Sequence, residues 1–124
     1  AIGLGASLDY MRSIGQENII AHENDLLAYA TERLSAVNAL KIIGTAQNKG
    51  AIISFAMEGA HAHDISTVID RSGVAVRAGT HCAQPLLERF GVTSTCRASF
   101  AMYNTRQEID VLAEALEKAR QFFL

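Results

Sequence analysis

Residues 51–57 have the two-residue periodicity of a β-strand, and this short stretch limits the fold more than any other. Successive side chains of a strand point to opposite faces, so Ile53, Phe55 and Met57 are expected on one buried face. The apolar run at residues 40–44 precedes it, and the turn-forming sequence TAQNKG separates the two. The two runs predict a β-hairpin.

Helical periodicity occurs on both sides of this hairpin. Apolar residues recur at three- and four-residue steps in residues 4–14, which end at Gly15, and again in residues 20–37. The spacing of Thr105 and Glu108 is that of a capping box, which predicts the start of a last helix. The residues that form the predicted apolar stripes are Leu8, Met11 and Ile14, then Ile20, Leu27, Ala30, Leu34 and Val37, and finally Ile109, Leu112, Leu116, Ala119 and Phe123.

Shorter elements are predicted in the middle of the chain. Asp64 is expected to cap a helix that ends at Gly73, and Pro85 to begin a short helix. Brief strands are predicted at residues 74–77 and 98–102. This order predicts one α+β domain, in which helices cover one face of a small, mostly antiparallel sheet. A chain of 124 residues is long enough for such a domain to bury roughly two thirds of its unfolded surface.

Charge and composition exclude several classes of protein. The formal net charge is −2 without a run of like charges, which argues against a nucleic-acid partner. No apolar segment approaches the roughly 20 residues that span a bilayer, and residues 1–6 lack the basic flank of a signal peptide. The absence of both predicts a cytoplasmic protein with no membrane partner, and its two cysteines are too few for a disulfide scaffold and are expected to be thiols. Because it begins at Ala1 inside a helical pattern, we expect a piece of a longer protein.

The sequence RAGTHCAQP at residues 77–85 holds the candidate nucleophile, Cys82. This cysteine lies just before a predicted helix, with Arg77 and His81 nearby, and such surroundings favour the thiolate. The alternative is that Cys82 packs as a small buried apolar residue, as free cysteines usually do.

Cys96 and Arg97 form a second group of interest. Cys96 is expected to pack in the core, and a disulfide with Cys82 stays open as an alternative that a reducing compartment disfavours. If Ala98 faces the core, Arg97 points to the opposite side of its strand. A guanidinium held there suits a two-pronged carboxylate clamp, or else a surface ion pair.

The histidines are candidate metal ligands. His61 and His63, taken with His81 and the two cysteines, offer enough nitrogen and sulfur atoms for zinc. Their spacing matches no closed structural zinc site, because no C-x-x-C element is present. We therefore predict no metal.

Several motifs together resemble one enzyme family. The patterns R-x-G-x-H-C-A-x-P at residues 77–85, C-R-A-S at 96–99 and M-Y-N-T at 102–105 closely resemble the C-terminal part of Suf-type (group II) cysteine desulfurases and selenocysteine lyases. Those are pyridoxal-phosphate enzymes of the class V aminotransferase family. Residues 61–65 resemble the family's H-x-x-D segment, and residues 1–6 the helix after its large domain. The resemblance covers essentially the whole chain and implies the small C-terminal domain of the fold-type I transferase fold.

This resemblance implies a function. L-cysteine, or L-selenocysteine, would be the substrate, and pyridoxal 5'-phosphate the cofactor of a homodimeric enzyme. Cys82 would take the substrate sulfur as a persulfide, leave L-alanine, and pass the sulfur to a Suf-type acceptor protein for iron–sulfur cluster assembly. Arg97 would bind the substrate carboxylate, while Arg77 and His81 would position the loop or tune the thiol. Thr80 stands where many relatives have a histidine.

The resemblance also implies missing parts. The family's cofactor lysine belongs to the large domain, and neither Lys41, Lys49 nor Lys118 lies in a matching motif. We therefore expect a single-domain C-terminal piece of a longer enzyme, with residues 1–15 as the helix that leads in from the large domain. The piece alone is expected to bind no cofactor and to be inactive. A non-enzymatic module that carries a persulfide on Cys82, or docks a sulfur-transfer partner, is the alternative.

Overall fold

A four-stranded antiparallel sheet organises the molecule. The computed structural model describes residues 1–124, and the strands lie in the order β1-β2-β4-β3. Every neighbouring pair is antiparallel, so the predicted α+β class and the hairpin are confirmed. The strands are β1 (Leu40–Ile43), β2 (Ile52–Met57), β3 (Arg77–Gly79) and β4 (Thr95–Ser99).

Five helices accompany the sheet, and three of them supply the helical part of the core. Helices α2, α3 and α5 contribute to one buried cluster together with Ile53, Phe55 and Met57, the hairpin face expected from the alternation. No helix is both long enough and apolar enough to span a membrane. The helices are α1 (Ile2–Ile14), α2 (Gln16–Ser35), α3 (Ala62–Asp70), α4 (Gln84–Arg89) and α5 (Arg106–Phe123).

The predicted capping box at the start of α5 is confirmed. The Glu108 N–H donates to Thr105 Oγ1 at 3.2 Å, and the Thr105 N–H donates to Glu108 Oε2 at 2.7 Å. These bonds give two backbone N–H groups at the start of the helix one side-chain acceptor each, which fixes where the helix begins. Four residues of the predicted stripe, Ile109, Leu112, Leu116 and Ala119, are buried, whereas Phe123 is only half-buried.

Both short strands predicted outside the hairpin are displaced. The strand expected at residues 74–77 begins only at Arg77, because the Val74 N–H instead donates to Ile69 O and closes the end of α3. The strand expected at residues 98–102 starts and ends three residues earlier, as Thr95–Ser99. Beyond it, the Ala101 N–H donates to Asn104 Oδ1 at 2.8 Å in a turn, which stops the strand ladder.

The predicted cap of α3 was wrong. His61, not Asp64, occupies the N-cap, and its Nδ1 accepts the His63 N–H at 3.2 Å. Asp64 lies in the first turn, where a carboxylate favours the positive end of the helix dipole. Gly73 does follow the helix end, with a φ of +78°.

Two helical stripes differ from expectation. In α2 the buried residues include Ile19 and Leu26, while Ile20 is exposed. Because α2 contains adjacent apolar residues, the sequence does not show which member of each pair is buried. Leu26 lies four residues before the buried Ala30 and therefore on the same helix face. Helix α1 buries none of its residues, although it ends as predicted before Gly15, whose φ is +95°.

Candidate functional site

A tight turn between β3 and α4 displays Cys82. The Ala83 N–H donates to Thr80 O at 2.9 Å, which closes a four-residue turn. The two central residues, His81 and Cys82, have φ values of +54° and +56°. Two consecutive positive φ angles are the signature of a type I′ turn, which glycine, asparagine and aspartate normally occupy. The turn leaves the Cys82 side chain exposed.

His81 ties this turn to the sheet. Its Nε2 lies 3.1 Å from the carbonyl oxygen of Thr95, the first residue of β4. Left-handed backbone costs a residue with a Cβ on the order of 1–3 kcal/mol, so the surroundings must hold the turn in place. The bond from His81 is the one side-chain hydrogen bond that links residues 80–83 to another strand.

The two cysteines have opposite surroundings. Cys96 has no exposed surface, and its Sγ donates to Ala62 O at 3.2 Å. Burial raises the pKa of the Cys96 thiol to about 11, which keeps it protonated and unreactive at neutral pH. Both cysteines are free thiols, so the disulfide alternative is wrong and the packing role predicted for Cys96 is confirmed. The alternative in which Cys82 packs in the core is also wrong, because Cys82 is exposed.

Arg97 lies on the sheet face away from the core. Its neighbours Cys96 and Ala98 are buried, which confirms the alternation expected for this strand. The Arg97 Nε is buried without a hydrogen-bond partner. A buried unpaired donor is costly, so this nitrogen is suited to an acceptor that binds from outside the chain. The surface ion pair considered from the sequence is not formed, since the four ion pairs of the chain involve other arginines.

The sheet register also brings together residues whose proximity was not predicted. Arg77 pairs directly with Arg97 across β3 and β4, and Ser54 pairs with Arg97 across β2 and β4. Their three side chains therefore leave the same face of the sheet. Gly79, the last residue of β3, pairs with Thr95, the first residue of β4. The Cys82 turn therefore begins at this end of the two strands. Alternation within β2 places Ser54 away from the core, but no local pattern pairs strands that are far apart in sequence.

The candidate metal histidines perform a structural task. The Nδ1 of His61 caps α3, and its Nε2 lies 3.4 Å from Ser94 Oγ. The rings of His61 and His63 stack with centroids 5.4 Å apart. No group of three or more histidine, cysteine, aspartate or glutamate side chains is arranged to hold a metal ion.

Comparison with known proteins identifies similar sequences. The family described as Aminotransferase class-V matches residues 1–112. A probable cysteine desulfurase of Xylella fastidiosa (strain Temecula1) is 52% identical over 120 residues, which cover 97% of this chain and 29% of the relative. A probable cysteine desulfurase of Streptomyces coelicolor is 50% identical over 125 residues, covering 99% and 30%. The chain thus spans less than a third of the length of these relatives.

Two solved structures share the fold of this chain. The cysteine desulfurase CsdA of Escherichia coli superposes with a TM-score of 0.91 at 33% identity, over 99% of this chain and 30% of that protein. The apo cysteine desulfurase of Thermococcus onnurineus NA1 also reaches 0.91, at 31% identity, over 98% of this chain and 30% of that protein. The sheet order and its helices are therefore those of a part of cysteine desulfurase structures.

Proposed function

Because this chain belongs to the class-V aminotransferase family, we propose that it is the sulfur-accepting small domain of a cysteine desulfurase. One observation carries the proposal. Cys82 presents an exposed thiol on a strained turn, and a hydrogen bond from His81 links this turn to Thr95 of β4. Arg97, whose buried Nε is unpaired, lies two residues after Thr95 in that strand. A nucleophile and a carboxylate anchor on neighbouring parts of one rigid sheet suit an amino-acid substrate that carries a reactive side chain.

In the proposed reaction Cys82 receives the sulfur of L-cysteine. The Cys82 sulfur forms an S–S bond with the substrate sulfur while the C–S bond of the substrate breaks. The electron pair of that bond stays with the carbon, which takes up a proton and becomes the methyl group of L-alanine. One of the two original thiol hydrogens thus ends on the methyl group and the other on the enzyme persulfide, so no external oxidant or reductant is needed.

Arg97 is proposed to bind the substrate carboxylate. A guanidinium presents parallel N–H groups that match the two oxygens of a carboxylate. The buried Nε of Arg97 has no partner within the chain, and a carboxylate oxygen would supply one. His81 is proposed to position Cys82 through its bond to Thr95 rather than to react itself.

The cofactor of this reaction class is pyridoxal 5'-phosphate, which when bound delocalises the electron pair left on the substrate. The lysines of this chain do not fit a covalent link to it beside Cys82. Lys41 lies on β1, at the sheet edge opposite β3, while the Lys49 Nζ donates to Gly44 O at 3.1 Å. Lys118 is exposed on α5. The lysine of the proposed enzyme is therefore another residue.

We further propose that the chain is the C-terminal domain of a homodimeric, cytoplasmic enzyme that passes its sulfur to a Suf-type acceptor protein. The chain alone is proposed to be inactive toward L-cysteine, yet still able to carry a persulfide on Cys82. The exposure of Cys82 favours this second, narrower function, because carriage requires an accessible thiol but no lysine.

Persulfide carriage is tested by mass spectrometry of the chain after incubation with a low-molecular-weight persulfide. Cys82 is expected to gain about 32 Da as one added sulfur. Cys96→Ala should gain the same mass, whereas Cys82→Ala should gain none. Sulfur on Cys96 alone, or on neither cysteine, would reject Cys82 as the acceptor.

The desulfurase reaction itself is tested in the full-length protein that carries this chain. L-alanine release from L-cysteine should fall by about a hundredfold or more in Cys82→Ala, because a nucleophile is lost. Assay of the same variant with L-selenocysteine separates the two candidate substrates. Because selenium leaves the substrate carbon more readily than sulfur, a small loss of activity with L-selenocysteine would favour selenocysteine lyase. Unchanged cysteine turnover in Cys82→Ala would contradict the proposed role of Cys82.

A further inference from the structure

Three polar side chains form a row across the open face of the sheet. Arg97 of β4 pairs with Ser54 of β2 on one side and with Arg77 of β3 on the other. The row lies opposite the core, because the adjacent residues Cys96 and Ala98 are buried. We call Ser54, Arg97 and Arg77 the anion row.

The anion row is electrostatically unbalanced within the chain. Two guanidiniums that face each other directly in an antiparallel pair repel and destabilise the pairing. None of the four strands contains an aspartate or glutamate, and neither Arg77 nor Arg97 takes part in an ion pair. The Nε of Arg97 is buried and unpaired as well. A bound anion would relieve both the repulsion and the missing hydrogen bond.

We propose that Arg77 and Ser54 complete the anion site of Arg97, so that one carboxylate is held by two guanidiniums and a hydroxyl. A carboxylate offers about four acceptor positions, and a single guanidinium fork fills two of them. Arg77 and Ser54 supply donors for the rest from the flanking strands. This inference rests on the proposed function, in which Arg97 binds the substrate carboxylate. It changes the role of Arg77 from tuning the thiol to binding the anion.

The three residues differ in solvent exposure and therefore in how much they contribute to anion binding. Arg97 and Ser54 are half-buried, whereas Arg77 is exposed on the edge strand. A more buried guanidinium interacts more strongly with an anion, because solvent screens it less. Arg97 is therefore the main anion-binding residue, and Arg77 strengthens the site by charge and by its fork.

The experiment is an NMR titration of the labelled 124-residue chain with acetate and with L-alanine, against chloride at equal ionic strength. The Arg97 Nε–Hε signal is expected to shift in a saturable way with both carboxylates. The apparent Kd should rise about three- to tenfold in Arg77→Gln and about two- to threefold in Ser54→Ala, as expected for lost charge-assisted and neutral hydrogen bonds. Arg97→Gln removes this signal, so binding to that variant is followed by the backbone amides of β4, whose saturable response should be abolished.

Two further variants make the titration specific. Lys118→Gln removes the same charge from an exposed position of α5, a helix that packs on the core face of the sheet, so its Kd should match that of the unchanged chain. Arg77→Lys keeps the charge but loses the planar fork, and should give a Kd between those of the chain and of Arg77→Gln. A Kd in Arg77→Lys equal to that in Arg77→Gln would assign the effect to the fork and not to charge, which still supports a direct contact.

The outcomes separate this inference from the proposed function. If Arg77→Gln and Ser54→Ala leave the Kd unchanged while Arg97→Gln abolishes binding, the anion row is rejected and the carboxylate role of Arg97 stands. If Arg97→Gln also binds normally, the carboxylate clamp fails and the inference fails with it. An equal loss in Lys118→Gln would reduce the effect to net charge and overturn the anion row.

Discussion

The imidazole Nε2 of His81 lies 3.1 Å from the carbonyl oxygen of Thr95, and this contact joins the Cys82 turn to β4. A carbonyl oxygen only accepts hydrogen bonds, so Nε2 carries the hydrogen in this contact. The bond runs from a left-handed residue to a buried one, whose strand is held on both sides by β2 and β3. His81 thus positions Cys82 relative to an inner strand of the sheet.

Removal of the imidazole should loosen the turn without unfolding the domain. His81→Ala is expected to lower the free energy of unfolding by about 1 kcal/mol, the usual value of one hydrogen bond. The Ala83 amide, which is bonded to Thr80 O, should exchange with solvent about tenfold faster, because the turn opens more often. Hydrogen exchange followed by NMR measures this directly.

His81→Asn is the conservative control for this prediction. Asparagine tolerates the left-handed region and carries an amide donor, so it should restore part of the protection of Ala83. The Ile109 amide in α5, bonded to Thr105 O, should exchange at the same rate in all three proteins. Equal exchange of Ala83 in the unchanged chain and in His81→Ala would show that the imidazole does not hold the turn.

The backbone of Cys82 predicts an unusual order of stability. Its φ of +56° favours glycine, so Cys82→Gly should be more stable than Cys82→Ala by about 1 kcal/mol. Urea unfolding measures both variants. Glu88 in α4 is the control position, because there the alanine variant should be the more stable one. If Cys82→Ala equals or exceeds Cys82→Gly in stability, the turn is not strained at Cys82.

Local patterns explain what could be predicted of the fold. Alternation in residues 51–57 fixed the buried face of β2, since a period of two admits only two faces. The capping box of Thr105 and Glu108 was visible because both partners lie three residues apart. The orientation of Arg97 followed in the same way from its neighbours in β4.

The unpredicted parts depend on contacts between distant residues. The pairing of Arg77 with Arg97 joins residues 20 positions apart, and no local pattern specifies that register. The left-handed turn at His81 lacks the usual glycine or asparagine signal, because a bond to Thr95 and not intrinsic preference supports it. His61 was likewise missed as a cap, since histidine is not among the residues that commonly cap helices.

The raised pKa of Cys96 predicts a loss of stability in alkaline solution. Burial raises this pKa from 9.0 to about 11, so above pH 9 the unfolded chain releases a proton that the folded chain keeps. The free energy of unfolding should therefore fall between pH 9 and pH 11, by on the order of 3 kcal/mol at most. Urea unfolding across this range measures the fall, and Cys96→Ala should reduce it.

Alkylation provides an independent measurement of the same difference between the thiols. At pH 8 iodoacetamide should modify Cys82 in the folded chain, while Cys96 reacts only after urea unfolds it. Peptide mapping identifies the modified residue. Modification of Cys96 in the folded chain at a rate comparable with Cys82 would contradict its burial.

The capping box predicts how the domain responds to acid. Hydrogen bonds from the Asn104 side chain and then from the Thr105 N–H lower the pKa of Glu108 below its usual value of 4.5. Because the folded pKa is the lower one, the carboxylate stabilises the fold fully above pH 4.5 and loses this effect as pH falls through the folded pKa. The stability difference between the unchanged chain and Glu108→Gln should therefore be constant from pH 7 to about pH 5.5 and shrink below pH 4.5. Thr105→Ala, which removes the other half of the capping box, should lower the free energy of unfolding by about 1 kcal/mol at pH 7.

Urea unfolding at each pH measures the stability of the unchanged chain and of both variants. Glu114→Gln, which changes an exposed carboxylate of the same helix, is the control. A difference for Glu108→Gln that stays constant down to pH 3 would mean that these hydrogen bonds do not favour the ionised form.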